Sequence, residues 1–301
     1  MTDVFSAPRF HDDVAARQYL EALLWPEGPV CPHCGVVNHA YATKRPGVYR
    51  CAEKECRKDF SVTMKTVMER SKIALHKWLQ AFHLMCSSKK GVSAHQLHRT
   101  LGVTYEAAWF MAHRIREAMR AGGLSPMGSG GGIVEADETF IGRKQGARRA
   151  KAGYGHKMVV MSLVERGGKV RSFKIDQAGK EAANRIIGEN VSHEARLMTD
   201  SAGYYKAANF NVSDHQMVNH MEGEYVRGDV HTNTLESYYS VFKRGMKGVY
   251  QHCREKHLHR YAAEFDFRHN TRIALGVNDG ERAALAVKGA AGKRLTYRGS
   301  H

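Results

Sequence analysis

Three carboxylates have placements suited to chemistry: Asp137, Asp200 and Glu236. Asp137 lies in Val134-Glu135-Ala136-Asp137-Glu138-Thr139, which opens a segment, residues 133–141, that reads as a strand. A carboxylate inside a buried strand is costly unless it meets a cation or hydrogen-bond donors. Asp200 follows a short apolar run, residues 195–199, and strand ends are where α/β proteins place their chemistry. Glu236 opens a helix whose apolar stripe is Leu235, Tyr238, Tyr239, Phe242 and Met246. It falls off that stripe, on a face shared with Ser240, Lys243 and Lys247. Three such acids can hold two Mg2+ or Mn2+ ions about 4 Å apart and direct in-line attack at phosphorus. Each has a plainer reading. Glu135 shares a strand face with Asp137 and competes for its role; Asp200 suits a turn before Ser201-Ala202-Gly203. Asn233-x-x-Glu236 fits a helix capping box, and Asn233 is the alternative third ligand.

A second constellation is sulfur-based. Cys31-x2-Cys34 and Cys51-x4-Cys56 provide two short-range thiol pairs, the geometry of a structural zinc site with all four positions filled. The second pair is wider than usual, so its loop must bulge. A region this short has little core of its own, and metal would supply its folding energy. Cys86 and Cys253 stand alone and read as ordinary thiols.

The elements that must position these groups follow from periodicity. An amphipathic helix is expected from Asp12, a cap, to Leu24. The cysteine region follows, then a helix from Leu75 with Leu75, Trp78, Leu79 and Phe82 on one face. Ser93 caps a helix reaching Leu101, Gly102-Val103-Thr104 turns, and a second helix runs from about Tyr105 to Arg120. This is the layout of a helix-turn-helix. Its second helix carries Tyr105, Glu106, Trp109, His113, Arg114 and Arg116 outside the apolar face, with Arg114 and Arg116 expected to reach DNA. A plain helical hairpin in a larger core is the competing reading. Residues 122–132 are glycine-rich and read as a flexible linker. Beyond it, three meander strands, a helix, a strand and two further helices follow the order of an RNase-H-like α/β fold. The expected organisation is therefore α+β and multidomain. A helical segment (1–28) precedes a zinc ribbon (29–62), a helix-turn-helix (72–121), the linker, a catalytic domain (133–275) and a basic tail (276–301).

Charge points to the partner. Against 30 acidic residues stand 46 Lys and Arg, a net charge of +16, which favours a polyanion. No broad-faced basic amphipathic helix, long apolar span or signal-peptide pattern appears, so membranes are excluded and a cytoplasmic, nucleoid-associated location is expected. Arg143 and Lys144 in the basic stretch 143–151, with Lys243, Arg244 and Lys247, are expected to hold phosphates.

The chain resembles the DDE transposases of bacterial insertion sequences, in the subgroup with an N-terminal zinc ribbon. The matching stretches include Cys31-Pro32-His33-Cys34-Gly35, Lys89-Lys90-Gly91-Val92-Ser93, Glu135 to Gly142, and His231-Thr232-Asn233-Thr234-Leu235-Glu236. Phe242-Lys243-Arg244-Gly245 and Phe267-Arg268-His269-Asn270 follow in the same order. The resemblance implies an RNase-H-like core, metal-dependent strand cleavage and transfer, and terminal inverted repeats and target DNA as double-stranded partners. It aligns Asp137 and Asp200 with the first two catalytic residues and implies a homo-oligomer, at least a dimer on DNA. The competing functions are a non-catalytic, domesticated DNA-binding regulator and a structure-specific nuclease.

Overall fold

A computed structural model describes residues 4–122, 125–148, 153–206, 210–219 and 222–296. The chain divides into two compact units, one of residues 1–88, 92–120 and 276–301, the other of 89–91 and 121–275.

The first unit opens with α1 (Asp13–Leu24), whose N-terminus is capped by the Asp12 carboxylate accepting the Ala15 N–H at 2.7 Å. A small antiparallel sheet follows, β1 (Ala40–Ala42), β2 (Tyr49–Cys51) and β3 (Asp59–Phe60). Trp25 packs edge-on against Tyr49 and Phe60, with centroids 5.6 and 5.7 Å away. Then come α2 (Leu75–Ser87), α3 (Ala94–Leu101) and α4 (Tyr105–Met119). Ser93 and Thr104 cap α3 and α4 through their side chains, and Gly102 closes α3 in the left-handed region, φ 58°. The expected helix–turn–helix layout is therefore present as backbone.

The segment expected to be a basic tail is instead part of this unit. Residues 279–288 form α9 (Asp279–Lys288), started by a capping box between Asn278 and Glu281. Ala286, Val287 and Ala290 are fully buried, and Arg282 donates to the Cys86 carbonyl of α2 at 3.1 Å. The apolar spacing in this segment is carried by alanines, which a reading for large hydrophobics passes over. The glycine-rich linker is also corrected in part. Met127 is buried and exchanges backbone hydrogen bonds with Asn190 and Ser192, both at 2.8 Å. Gly128 donates to Glu165 at 3.1 Å, so the later half of the segment is built into the second unit.

That unit is a five-stranded mixed sheet in the order β6-β5-β4-β7-β8. Strands β4 (Ile133–Ile141), β5 (Met158–Glu165) and β6 (Val170–Ile175) form the expected antiparallel meander. After α5 (Lys180–Asn190), β7 (Arg196–Asp200) pairs parallel to β4. A short α6 (Gly203–Lys206) leads to β8 (Asp214–Val218), an edge strand parallel to β7. β8 was not expected: Asp214-His215-Gln216 lacks an apolar alternation. The helices α7 (Asn233–Gly245) and α8 (Leu258–Asn270) complete the unit. Both faces of the sheet are covered. Val159, Met161 and Leu163 join the α5 side; Met158, Val160 and Val164 join the α7–α8 side. Two-sided burial is why β5 reads as an unbroken apolar run rather than an alternation.

Candidate active site and metal centre

The site is set by strand register. β4 and β7 run parallel with Ile133, Val134 and Glu135 opposite Arg196, Leu197 and Met198. Extending this offset by two residues brings Asp137 level with Asp200, at the C-terminal end of β7. The paired region stops at Glu135 and Met198, while β4 continues to Ile141 and β7 to Asp200. Asp137 therefore stands where two parallel strands cease to be joined. One of its oxygens accepts the Glu138 N–H at 2.7 Å, and its carbonyl accepts the Tyr239 hydroxyl at 2.6 Å. Asp200 accepts the Ala202 N–H at 3.0 Å, turning the chain into α6.

The electrostatics are those of crowded acids. Burial lifts the Asp137 carboxyl well above its usual range; the charges of Glu138 and Asp200 lift it further, and Lys243 of α7 offsets part of this. Burial also raises Glu138, to about 7, although Tyr204 and Tyr205 donate hydrogen bonds that favour its charged form. Positive charge placed here would relieve both Asp137 and Glu138. Glu138 was not singled out in the sequence. Its only signals were adjacency to Asp137 and the tyrosine pair soon after Asp200.

Glu135, the competitor for Asp137's role, has another task. It is fully buried and bonded to Arg166 Nε at 2.8 Å, the Thr234 hydroxyl at 2.9 Å and the Leu235 N–H at 3.0 Å. It therefore satisfies the first turn of α7 from the sheet. That displaces the anticipated capping box. Thr232 is the N-cap but its side chain does not cap the helix N–H groups, Asn233 is the first helical residue, and both Asn233 and Glu236 are exposed. The Thr232 hydroxyl reaches Glu236 at 3.4 Å. Glu236 shares its exposed face with Ser240, Lys243 and Lys247, as its spacing predicted. Among the described residues, the carboxylates do not gather as tightly as the cysteines do.

The expected phosphate contacts divide. Lys243, Arg244 and Lys247 are exposed along α7 and the π turn that extends it, Met246–Tyr250. Arg143 is exposed and donates to the Ala147 carbonyl at 2.7 Å; Lys144 is half-buried and donates to the Asp176 carbonyl at 2.7 Å. Arg149 and Lys151 of the basic stretch lie outside the described residues. Arg114 and Arg116 depart from expectation: both are buried, at 8% and 2% exposure. Arg114 donates to the Glu69 carbonyl at 3.1 Å and stacks over Phe110. The C-terminal half of α4 is enclosed, so a helical-wheel reading that assumed one solvent face misassigned them. The exposed positions of α4 are in its first turn, Tyr105 and Glu106, where Tyr105 stacks on His95 of α3 at 4.4 Å.

The sulfur site closes. Ligand atoms of Cys31, Cys34, Cys51 and Cys56 all lie within 4.8 Å of one another. Sγ separations are 3.8 Å for Cys31–Cys56 and 3.6 Å for Cys34–Cys51. A ZnS4 tetrahedron with bonds near 2.3 Å has edges of roughly 3.8 Å, so the donor set fits zinc. Gly35, at φ 83°, forms the first knuckle and donates to the Cys31 carbonyl at 2.8 Å. The wider second pair is taken up by a turn in which Cys56 and Arg57 both donate to the Glu53 carbonyl. Burial raises the Cys31 thiol, yet the N–H groups of Cys34 and His33 bring it down to about 7; burial pushes Cys51 up to about 12.

A four-thiol ribbon is followed later in the chain by a mixed sheet bearing aligned acids, and both parts match domains of mobile-element proteins. Residues 11–59 match the transposase zinc-ribbon domain, and residues 130–270 match the ISXO2-like transposase domain. The chain thus carries, in this order, matches to two transposase domains. It is 28% identical to an uncharacterized protein in transposable element ISH50 of Halobacterium salinarum, over 78% of this chain and 83% of that protein. Among the described residues no helix is long and apolar enough to cross a membrane.

Proposed function

We propose that this protein cleaves and transfers DNA strands at the ends of its insertion sequence, using an RNase-H-like second unit. The observation that carries this is the level placement of Asp137 and Asp200 on two parallel strands, in a setting where added positive charge is favourable. The sheet order, an antiparallel meander continued by parallel strands, supports the RNase-H-like reading. Asp137, Asp200 and Glu236 are the residues that would hold Mg2+ or Mn2+, with Asn233 the alternative to Glu236. Such ions, when bound, supply charge neutralisation and activation of the attacking oxygen.

The chain's own contributions are binding and orientation. Lys243, Arg244 and Lys247 hold the DNA backbone beside the acids, with Arg143 and Lys144 as further phosphate contacts. Glu135 keeps the first turn of α7, and so Glu236, fixed to the sheet. In the first unit α3 and α4 act as a helix-turn-helix that reads the terminal inverted repeat through the exposed start of α4, the part of a recognition helix that meets base edges. Joining two ends and a target requires at least two protomers on double-stranded DNA.

The test is cleavage and strand transfer on labelled end DNA with Mg2+, using wild type, Asp137→Ala, Asp200→Ala, Glu236→Ala and Asn233→Ala. The expected result is loss of cutting in Asp137→Ala, Asp200→Ala and Glu236→Ala with end binding retained. Activity in Glu236→Ala and its loss in Asn233→Ala would move the third role to Asn233. A wild type that binds ends yet never cuts with any divalent ion would make the protein a DNA-binding regulator.

A further inference from the structure

Glu138 follows Asp137 in β4 and so points to the opposite face of the sheet. There both its oxygens are engaged. The Tyr204 hydroxyl donates to one at 2.6 Å, and the Tyr205 hydroxyl donates to the other at 2.7 Å. Tyr205 is 1% exposed, and a phenol buried to that degree requires an acceptor. With each oxygen taken by a phenol, Glu138 is poorly placed to serve as a further ligand beside Asp137.

The tyrosines belong to α6, a helix of four residues, too short to be stable alone. It begins three residues after Asp200, whose carboxylate accepts the Ala202 N–H in the turn between them. The connections form a chain from one acid to the other: Asp137 is bonded covalently to Glu138, Glu138 to both tyrosines through hydrogen bonds, and the tyrosines through Ala202 to Asp200. Between Asp137 and Asp200 the strands share no ladder bond. Among the described residues, this chain of bonds bridges the two strands at the level where the acids stand.

We propose that Glu138 is a positioning residue which, through Tyr204 and Tyr205, sets the separation of Asp137 and Asp200 and so the affinity of that pair for a divalent cation. This rests on the reading of Asp137 and Asp200 as metal ligands. Replacing the phenol hydroxyls keeps the aromatic packing and removes the tether between β4 and the short helix that follows Asp200.

The experiment uses the full zinc-loaded chain. Mn2+ binding is followed by the electron paramagnetic resonance signal of free Mn2+, alongside end-DNA affinity, the Mn2+ dependence of cleavage, and melting temperature. Wild type is compared with Tyr204→Phe/Tyr205→Phe, Glu138→Gln and Asp137→Ala. The double tyrosine variant is expected to need about tenfold more Mn2+ for half-saturation and half-maximal cleavage, with end-DNA affinity unchanged. Glu138→Gln, which keeps one carbonyl acceptor, should fall between it and wild type. A double variant that melts lower but binds Mn2+ and cuts like wild type would reduce the triad to a core hydrogen-bond network and overturn the proposal. If the double variant does not fold, Tyr204→Phe at the half-buried position must still raise the Mn2+ requirement, and an unchanged requirement overturns the proposal equally. Asp137→Ala separates the two levels. Should it bind Mn2+ as wild type does, the metal-ligand reading itself fails and the positioning role fails with it.

Discussion

Glu135 and Leu235 are 100 positions apart in the chain, yet the Glu135 carboxylate accepts the Leu235 backbone N–H at 3.0 Å. A strand side chain thus supplies the cap that the first turn of α7 lacks, and Arg166 balances its charge. Removing one partner of a buried ion pair strands the other. Glu135→Ala is expected to destabilise the second unit by about 3 kcal/mol or more, and Glu135→Gln by less. Denaturant unfolding of that unit checks this; an unchanged midpoint for Glu135→Ala would remove the anchoring role.

The ribbon has few buried apolar side chains around its thiols, chiefly Phe60 with Trp25, Tyr49 and Val36 packed alongside. Metal should therefore supply most of its folding free energy. One zinc per chain is expected by elemental analysis. Chelation, or Cys51→Ser, should abolish hydrogen-exchange protection from Cys31 to Phe60 while leaving the five-stranded sheet protected. Full protection after chelation would mean the ribbon holds itself together.

α9 should be required for the first unit. A chain ending at residue 275 loses the buried Ala286, Val287 and Ala290 and the Arg282 bond to Cys86. The truncated protein is expected to melt well below the full chain or be insoluble, and Arg282→Ala to cost about 2 kcal/mol. Equal melting temperatures for the truncated and full chains would return this segment to the status of a tail.

Asp266 of α8 is half-buried, accepting the Ser172 N–H at 2.8 Å and the Ser172 and Tyr238 hydroxyls at 2.6 Å each. Burial raises its carboxyl to about 6 against those hydrogen bonds. Its folded value thus exceeds its unfolded one, and the native state binds the extra proton between about pH 4 and 6. Stability from this group is present below that window and is lost as pH rises through it. Relative to Asp266→Asn, wild type should lose on the order of 2 kcal/mol between pH 4 and 7. A stability difference that stays flat across that range would show that Asp266 does not titrate there.

Much was legible in the sequence because the relevant physics is local. The cysteine spacing, the cap at Ser93 and the turn at Gly102-Val103-Thr104, the apolar stripe of α7 and the meander of β4 to β6 all depend on neighbours within a few residues. Glu236 stands on the lysine-bearing face that its helical spacing assigned, since a helix sets that relation by itself. The same local reasoning failed where the answer depended on what lay opposite. Arg114 and Arg116 lie on an enclosed part of α4, α9 buries alanines, and β8 is an edge strand held by its pairing with β7.

What the sequence alone determined is the set of parts: four thiols in two pairs, capped helices, a sheet-forming second half and acids within a strand, at a strand end and in the first turn of a helix. Their roles were decided by tertiary structure. Glu135 and Asp137 share a strand and a face, and periodicity cannot separate them. The parallel register with β7 does, because it sets Asp137 level with Asp200 and leaves Glu135 under the N-terminus of α7. Glu138 likewise acquires a role only when α6 folds back to bring two phenols to its oxygens. Pairing register and burial are properties of distant segments meeting, and no window along the chain contains them.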